Sequence, residues 1–131
     1  MKRTGILNSQ LAGIIAAMGH TDLLVIADAG LPMPPGVTTI DLAVVAGVPP
    51  FFTLFDAIAA ELAVESLTVA EEAAARDAAW VDAVRARFPA ATLDQISHEA
   101  FKRRTARARA VVRTGECTPY ANVILQAGVT F

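Results

Sequence analysis

Side chains that carry common enzyme chemistry are scarce in this chain. Its 131 residues include one cysteine, one tryptophan, one tyrosine and two histidines. The single cysteine, Cys117, excludes an internal disulfide and fits a reducing compartment, and such a lone thiol is more often inert than nucleophilic. The two histidines, the cysteine and the scattered carboxylates show no tight ligand spacing, so we do not expect a catalytic metal.

Phosphate-binding and nucleophile motifs are also absent. No G-x-G-x-x-G, G-x-x-x-x-G-K-[ST] or G-x-S-x-G sequence occurs, which argues against dinucleotide binding, P-loop nucleotide binding and α/β-hydrolase chemistry. We therefore expect no cofactor. The formal net charge is −2, and without a basic excess we expect no nucleic-acid partner.

Apolar residues, by contrast, are abundant. They make up 54% of the chain, which is above the usual share and suggests subunit interfaces in addition to a core. The apolar stretch 42–64 has the length of a membrane span, but Pro49, Asp56 and Glu61 make it a poor one. Lys2 precedes an apolar segment that polar residues soon interrupt, which disfavours a signal peptide. We expect one cytoplasmic domain over residues 1–131, with no membrane association.

The hydrophobic pattern alternates between strand and helix periods. Ser9 is a suitable N-cap, and Gly19 stands where a left-handed C-terminal residue belongs. This alternation predicts an α/β fold, a three-layer α/β/α arrangement with a mixed, mostly parallel sheet. The expected helices follow Ser9 and cover 51–62, 71–88 and 97–107; the expected strands cover 23–27, 38–42, 64–69, 92–96, 110–113 and 122–127.

Five polar side chains flank the predicted strands. His20 precedes the first strand and Asp28 follows it in a Gly/Pro loop, while His98 begins a helix and Tyr120 and Asn122 end a polar loop. Each has an ordinary structural interpretation on its own, as a buried histidine, a turn cap or a loop closure. Because strand ends in α/β folds form ligand crevices, we expect these groups to form one site.

Several dense blocks of sequence resemble the family of ribose pyranases and fucose mutarotases along essentially the whole chain. The loop DAGLP and the following IDLA resemble the ribose branch, since the equivalent loop of the fucose branch resembles DAHFP. The blocks are MGHTDLLVIADAGLP at 18–32, TTIDLAVVAGVP at 38–49, VE and AEE within 64–72, SHEAFK at 97–102 and RTGECTPYANVILQAGVTF at 113–131.

The resemblance implies an isomerase that interconverts the β-pyranose and β-furanose forms of free D-ribose without a cofactor. It also implies a homo-oligomer of pentameric rings, commonly two rings stacked as a decamer. His20 matches the proton donor of the family, and Asp28, His98 and the segment Tyr120, Ala121 and Asn122 match its sugar-binding positions. We expect the loop 115–122 and the last strand to face an adjacent subunit.

The reaction suits these residue types. Opening a cyclic hemiacetal takes a proton from the anomeric hydroxyl and gives one to the ring oxygen, and imidazole exchanges protons near neutral pH. His20 is therefore the expected donor, while Asp28 either orients it or binds a sugar hydroxyl. The sequence does not identify the partner base, for which His98 is the weaker candidate.

Three alternatives stay open at this stage. One is a mutarotase of another monosaccharide, above all fucose. Another is a non-catalytic ribose-binding accessory protein, for example of a transporter, which would leave His20 with no proton to move. A purely structural assembly protein explains the apolar composition but leaves the polar loops unexplained.

Overall fold

A computed structural model describes all residues from Met1 to Phe131. It contains five helices and a sheet of six strands in the order β2-β5-β1-β6-β3-β4. Along the chain the elements are α1 (Ser9–Ala17), β1 (Leu23–Ala27), β2 (Thr38–Asp41), α2 (Phe51–Ala59), β3 (Val64–Ala70), α3 (Glu71–Arg76), α4 (Ala78–Ala86), β4 (Thr92–Ile96), α5 (His98–Thr105), β5 (Ala110–Arg113) and β6 (Val123–Ala127).

The sheet is mixed because of a single strand. Strands β1, β2 and β5 pair in parallel, as do β3 and β4. Strand β6 lies between β1 and β3 and is antiparallel to both. The other five strands therefore run in one direction, and the predicted mixed, mostly parallel α/β sheet is confirmed.

Strand β1 is buried on both faces, as its continuous apolar sequence predicts. Leu24 and Ile26 belong to a cluster of 20 buried residues that includes Phe55 of α2. Val25 belongs to a second cluster of eight residues, which includes Phe101 of α5. Since alternate residues of a strand point to opposite faces, helices cover both sides of the sheet and form three layers. No helix combines the length and apolar character needed to cross a membrane.

The start and end of α1 differ from the prediction by one or two residues. Asn8, and not Ser9, caps the helix, because its side chain accepts a hydrogen bond from the Leu11 N–H at 2.9 Å. The left-handed residue after the helix is Thr21, with φ of 71°. Gly19 does not adopt that conformation, and its N–H instead donates to Asp22 Oδ2 at 2.9 Å.

The single long helix predicted over 71–88 is wrong, because the chain breaks at Asp77. This residue has φ −153° and ψ 86°, and its side chain accepts a hydrogen bond from the Trp80 N–H at 3.1 Å. Aspartate favours such a cap over a helix interior, since its carboxylate competes for backbone N–H groups. The break lets α4 turn, so that the Trp80 ring packs 5.1 Å from the ring of Phe51.

Candidate active site

A cleft of about 540 Å³ opens at the edge of the sheet where the parallel strands end. Its walls are the loop 28–31 after β1, His98 at the start of α5, and the loop 116–120 between β5 and β6. In open α/β sheets this carboxyl edge is where ligands bind. The cleft brings together three of the expected site residues, Asp28, His98 and Tyr120.

Asp28 is held in the cleft by Asn122. The Asn122 side chain donates from Nδ2 to Asp28 Oδ2 at 2.9 Å, and its Oδ1 accepts the Asp28 backbone N–H at 2.7 Å. The other Asp28 oxygen accepts the Gly30 N–H at 3.0 Å. Asn122 is fully buried and Asp28 is 8% exposed. Asn122 therefore positions the carboxylate from behind and does not itself line the cleft.

The aromatic wall of the cleft is formed by His98 and Tyr120. Their rings meet edge to face, with centroids 5.0 Å apart, and the His98 ring stacks on Phe101. His98 Nδ1 is buried without a hydrogen-bond partner, while the His98 N–H donates to Glu72 Oε2 at 2.9 Å. Tyr120 takes the left-handed conformation, with φ of 65°, which turns its ring toward the cleft.

The loop that supplies Tyr120 is fixed by its own polar contacts. Burial acts to raise the pKa of Glu116, but hydrogen bonds from Thr118, Phe51 and Cys117 outweigh it and lower that pKa. Glu116 Oε2 accepts the Phe51 N–H at 3.2 Å, so it also satisfies a free donor at the start of α2. Ala121 is buried at 2% exposure beneath the loop, where its N–H donates to Thr118.

His20 lies at the opposite edge of the sheet. It precedes β1 whereas Asp28 follows it, and five strand residues separate the two positions by roughly 17 Å at about 3.3 Å per residue. His20 does not line the cleft. Within one chain the structure therefore brings Asp28, His98 and Tyr120 together and leaves His20 apart from them. Within one chain Asp28 cannot orient this imidazole.

At that opposite edge His20 contacts Glu65, which in turn contacts Gln126, and the sequence singled out neither residue for chemistry. Its Nε2 lies 2.8 Å from Glu65 Oε2, and Gln126 Nε2 donates to Glu65 Oε1 at 2.6 Å. The hydrogen bond with His20, followed by that from Gln126, lowers the pKa of Glu65. The only sequence signals were the VE pair at 64–65 and the Q of ILQAGV, which lie in different blocks.

Fold and site together define an α/β protein with a cleft of small-molecule size, lined in part by polar side chains, at the carboxyl edge of its sheet. The family model described as "RbsD / FucU transport protein family" matches residues 1–130. The chain belongs to this family.

Individual relatives agree with that assignment. A D-ribose pyranase of Bacillus licheniformis is 52% identical over 131 residues, which are 100% of both chains. The structure of Bacillus subtilis RbsD complexed with D-ribose has a TM-score of 0.95 and 50% identity, and the match covers 100% of both chains. The fucose mutarotase of Streptococcus pneumoniae, in complex with L-fucose, has a TM-score of 0.76 and 25% identity over 95% of each chain.

Proposed function

We propose that this protein interconverts the pyranose and furanose forms of free D-ribose by acid–base-catalysed opening and reclosure of the ring. The observation that carries the proposal is the cleft, which presents the Asp28 carboxylate and the Tyr120 and His98 rings to a ligand of sugar size. Identity near 50% over the full length to proteins named D-ribose pyranase supports ribose as the substrate. The lone free cysteine fits action in the cytoplasm.

The chemistry requires only proton transfers. The anomeric hydroxyl loses its proton as the bond between the anomeric carbon and the ring oxygen breaks, and the ring oxygen gains a proton. Reclosure through a different hydroxyl reverses both transfers, so no oxidant, nucleophile or phosphate takes part. Asp28 and Tyr120 suit hydroxyl binding because they offer fixed acceptors and a donor. His20 is the proposed proton donor to the ring oxygen.

We further propose that His20 acts on a sugar held in the cleft of a neighbouring copy. One chain cannot bring the two edges of its own sheet together, so the site is complete only across a subunit boundary. Val44 and Val45 are exposed in the turn that is hydrogen-bonded to Gly115, next to the cleft loop. Val129 and Phe131 are exposed just after β6, whose last residue, Ala127, accepts the Thr21 N–H. Exposed apolar groups of this kind mark contact surfaces.

Such a contact joins two different surfaces of the same molecule. Head-to-tail contacts of this type close into rings when the rotation is suitable. The pentameric rings stacked as a decamer that the sequence resemblance implies are one such closed arrangement. Every copy would then supply its His20 edge to one neighbour and its cleft to the other.

Saturation-transfer NMR between the pyranose and furanose signals of ribose tests the activity. We expect the wild-type protein to accelerate exchange and His20→Ala to lose about 10²–10⁴-fold of the catalysed rate, the usual contribution of one positioned acid–base group. Light scattering should show an unchanged oligomer. Faster exchange of fucose than of ribose would favour the mutarotase alternative, and ribose binding without acceleration would favour an accessory binding protein.

Co-expression of two inactive variants tests the shared site. We expect His20→Ala and Asp28→Asn each to be inactive alone. In an equimolar mixed oligomer, each half of a site is intact with a probability of one half, so about a quarter of the sites are restored when the halves come from different copies. Absence of any restored exchange in a mixed oligomer would contradict a site between subunits.

A further inference from the structure

We infer that Glu65 is the positioning residue of His20, and that with Gln126 it determines which imidazole nitrogen is free to exchange a proton with the sugar. The inference rests on the proposed role of His20. Glu65 Oε2 lies 2.8 Å from His20 Nε2, and Glu65 Oε1 accepts the Gln126 N–H at 2.6 Å. Both carboxylate oxygens are thus engaged, and the Glu65 carboxylate cannot rotate without breaking a contact.

An irregularity in the pairing of β3 with β6 sets the direction of the Glu65 side chain. Val64 pairs with Ala127 and Ser66 pairs with Gln126, so β3 advances two residues while β6 advances one. Glu65 is the extra residue of this irregularity. A bulge of this kind redirects one side chain out of the regular alternation, and bulges are frequent beside active sites.

Gly128, just after strand β6, permits the chain to approach Glu65 closely. Gly128 follows β6, and its N–H donates to the Ala63 carbonyl at 2.9 Å. A Cβ atom at Gly128 would lie 3.2 Å from the Glu65 Cβ, which is tighter than ordinary contact. The bulge and this glycine place Glu65 independently of the hydrogen bonds that it makes.

The contact has a definite chemical consequence. A carboxylate accepts only from a protonated nitrogen, so Glu65 favours the neutral His20 tautomer with the proton on Nε2. Nδ1 is then the nitrogen left free to exchange a proton with the ligand. In the acid direction, imidazolium Nδ1–H gives its proton to the ring oxygen and leaves the Nε2–H tautomer that Glu65 stabilises; in reverse, Nδ1 accepts a hydroxyl proton. The low pKa of Glu65 keeps the acceptor ionised at neutral pH.

His98 offers an internal contrast. Its ring has no carboxylate partner, and its Nδ1 is without any hydrogen-bond partner. Its tautomer is therefore not selected in the same way. Of the two histidines, only His20 carries the acceptor that a reversible proton donor needs.

The test combines ring-nitrogen NMR with the exchange rate. In ¹⁵N-histidine-labelled wild-type protein at alkaline pH we expect His20 to be mainly the Nε2–H tautomer. Glu65→Ala should give a mixture of tautomers and reduce ribose exchange roughly tenfold or more, part of the contribution of a positioned acid–base group. Glu65→Gln has the same shape but one acceptor oxygen in place of the two that Glu65 uses. We therefore expect a weakened preference for the Nε2–H tautomer and an intermediate rate. Because it is isosteric, this variant carries the test if Glu65→Ala does not fold.

The matched control is Asp56→Asn. Asp56 of α2 forms another exposed ion pair, with Arg87 Nε at 2.8 Å, and hydrogen-bonds to neither His20 nor Glu65, so its loss should change neither the tautomer nor the rate. The inference is overturned if the Glu65 variants keep both the His20 tautomer and the exchange rate of the wild-type protein, as Asp56→Asn is expected to do. If the wild-type protein fails to accelerate ribose exchange, the proposed function fails, while the tautomer populations still decide whether Glu65 positions His20.

Discussion

Asn122→Ala should be one of the most damaging single changes in the chain. Asn122 is fully buried and makes two hydrogen bonds to Asp28. Its removal leaves the buried Asp28 N–H without an acceptor, which costs about 1–3 kcal/mol, and deletes a hydrogen bond to a charged group, which contributes about 1.5–3 kcal/mol. The two effects together predict a loss of about 2.5–6 kcal/mol in the free energy of unfolding.

Urea unfolding measures this loss. With a slope of about 1–3 kcal/mol per molar urea, the midpoint should fall by roughly 2 M. Wild type and variant are compared at equal protein concentration, because assembly contributes to apparent stability. In this variant the Asp28 carboxylate is no longer held by Asn122 and should bind ribose less well. The ribose concentration needed to saturate the exchange rate should therefore rise.

Asn8→Ala provides the matched control. Asn8 is the same residue type and also accepts a backbone hydrogen bond through its side chain, from Leu11. It is exposed, so its loss costs only the usual helix cap, about 1 kcal/mol. If Asn122→Ala destabilised the protein no more than Asn8→Ala, the argument from buried pairing would be refuted.

Three further predictions concern the framework. Gly115→Ala should lower the free energy of unfolding by about 1–3 kcal/mol, because the new Cβ would overlap the Val48 backbone. Gly13→Ala should instead raise it by about 0.5–1 kcal/mol, because a Cβ at this helix position meets nothing within 4 Å. Equal shifts of the melting temperature in the two variants would contradict this contrast. Asp77→Ala should cost about 1 kcal/mol by removing the α4 cap, unless the helix closes over the break, which circular dichroism would reveal. The lowered pKa of Glu116 stabilises the fold above its unfolded pKa of about 4.3 and ceases to do so as the pH falls through the folded value. The difference in the free energy of unfolding between wild type and Glu116→Gln should therefore decrease as the pH is lowered. A difference that stays constant with pH would contradict this role of Glu116.

Local sequence was sufficient for the strands with the clearest composition. The segments 23–27 and 92–96 form β1 and β4 with the predicted bounds, since each is a short β-prone run ended by polar or loop residues. The helix expected from residue 97 is α5, and Ser97 caps it by accepting the Ala100 N–H at 3.2 Å. Such features depend on neighbours only a few residues away.

The errors arose where a side chain competes with the backbone pattern. The alanine-rich segment 71–88 has high helix propensity throughout, and nothing in its periodicity shows that Asp77 caps a new helix instead of continuing the old one. Asn8 caps α1 in place of Ser9 for a similar reason, since both side chains can accept a backbone N–H at the start of the helix. Local geometry decides between such choices, and composition does not.

The halves of the candidate site were predictable to different degrees. Asp28, His98 and Tyr120 meet because strand order brings parallel carboxyl ends together, and that rule is general. Glu65 could not be found, because its contact with His20 spans 45 positions and depends on a bulge. The direction of β1 alone, however, was enough to place His20 and Asp28 on opposite edges.

The antiparallel strand β6 connects both halves of the proposed site within one small chain. It enters the sheet from Asn122, which holds Asp28 at the carboxyl edge, and it ends near Gln126, which holds Glu65 at the other edge. A parallel strand in that position would present its first and last residues to the wrong edges. Because β6 lies between β1 and β3 in the interior of the sheet, both half-sites are fixed to one rigid element. In the proposed ring of identical copies, the same pair of surfaces would complete every site, so catalysis would depend on assembly although each chain folds its own halves.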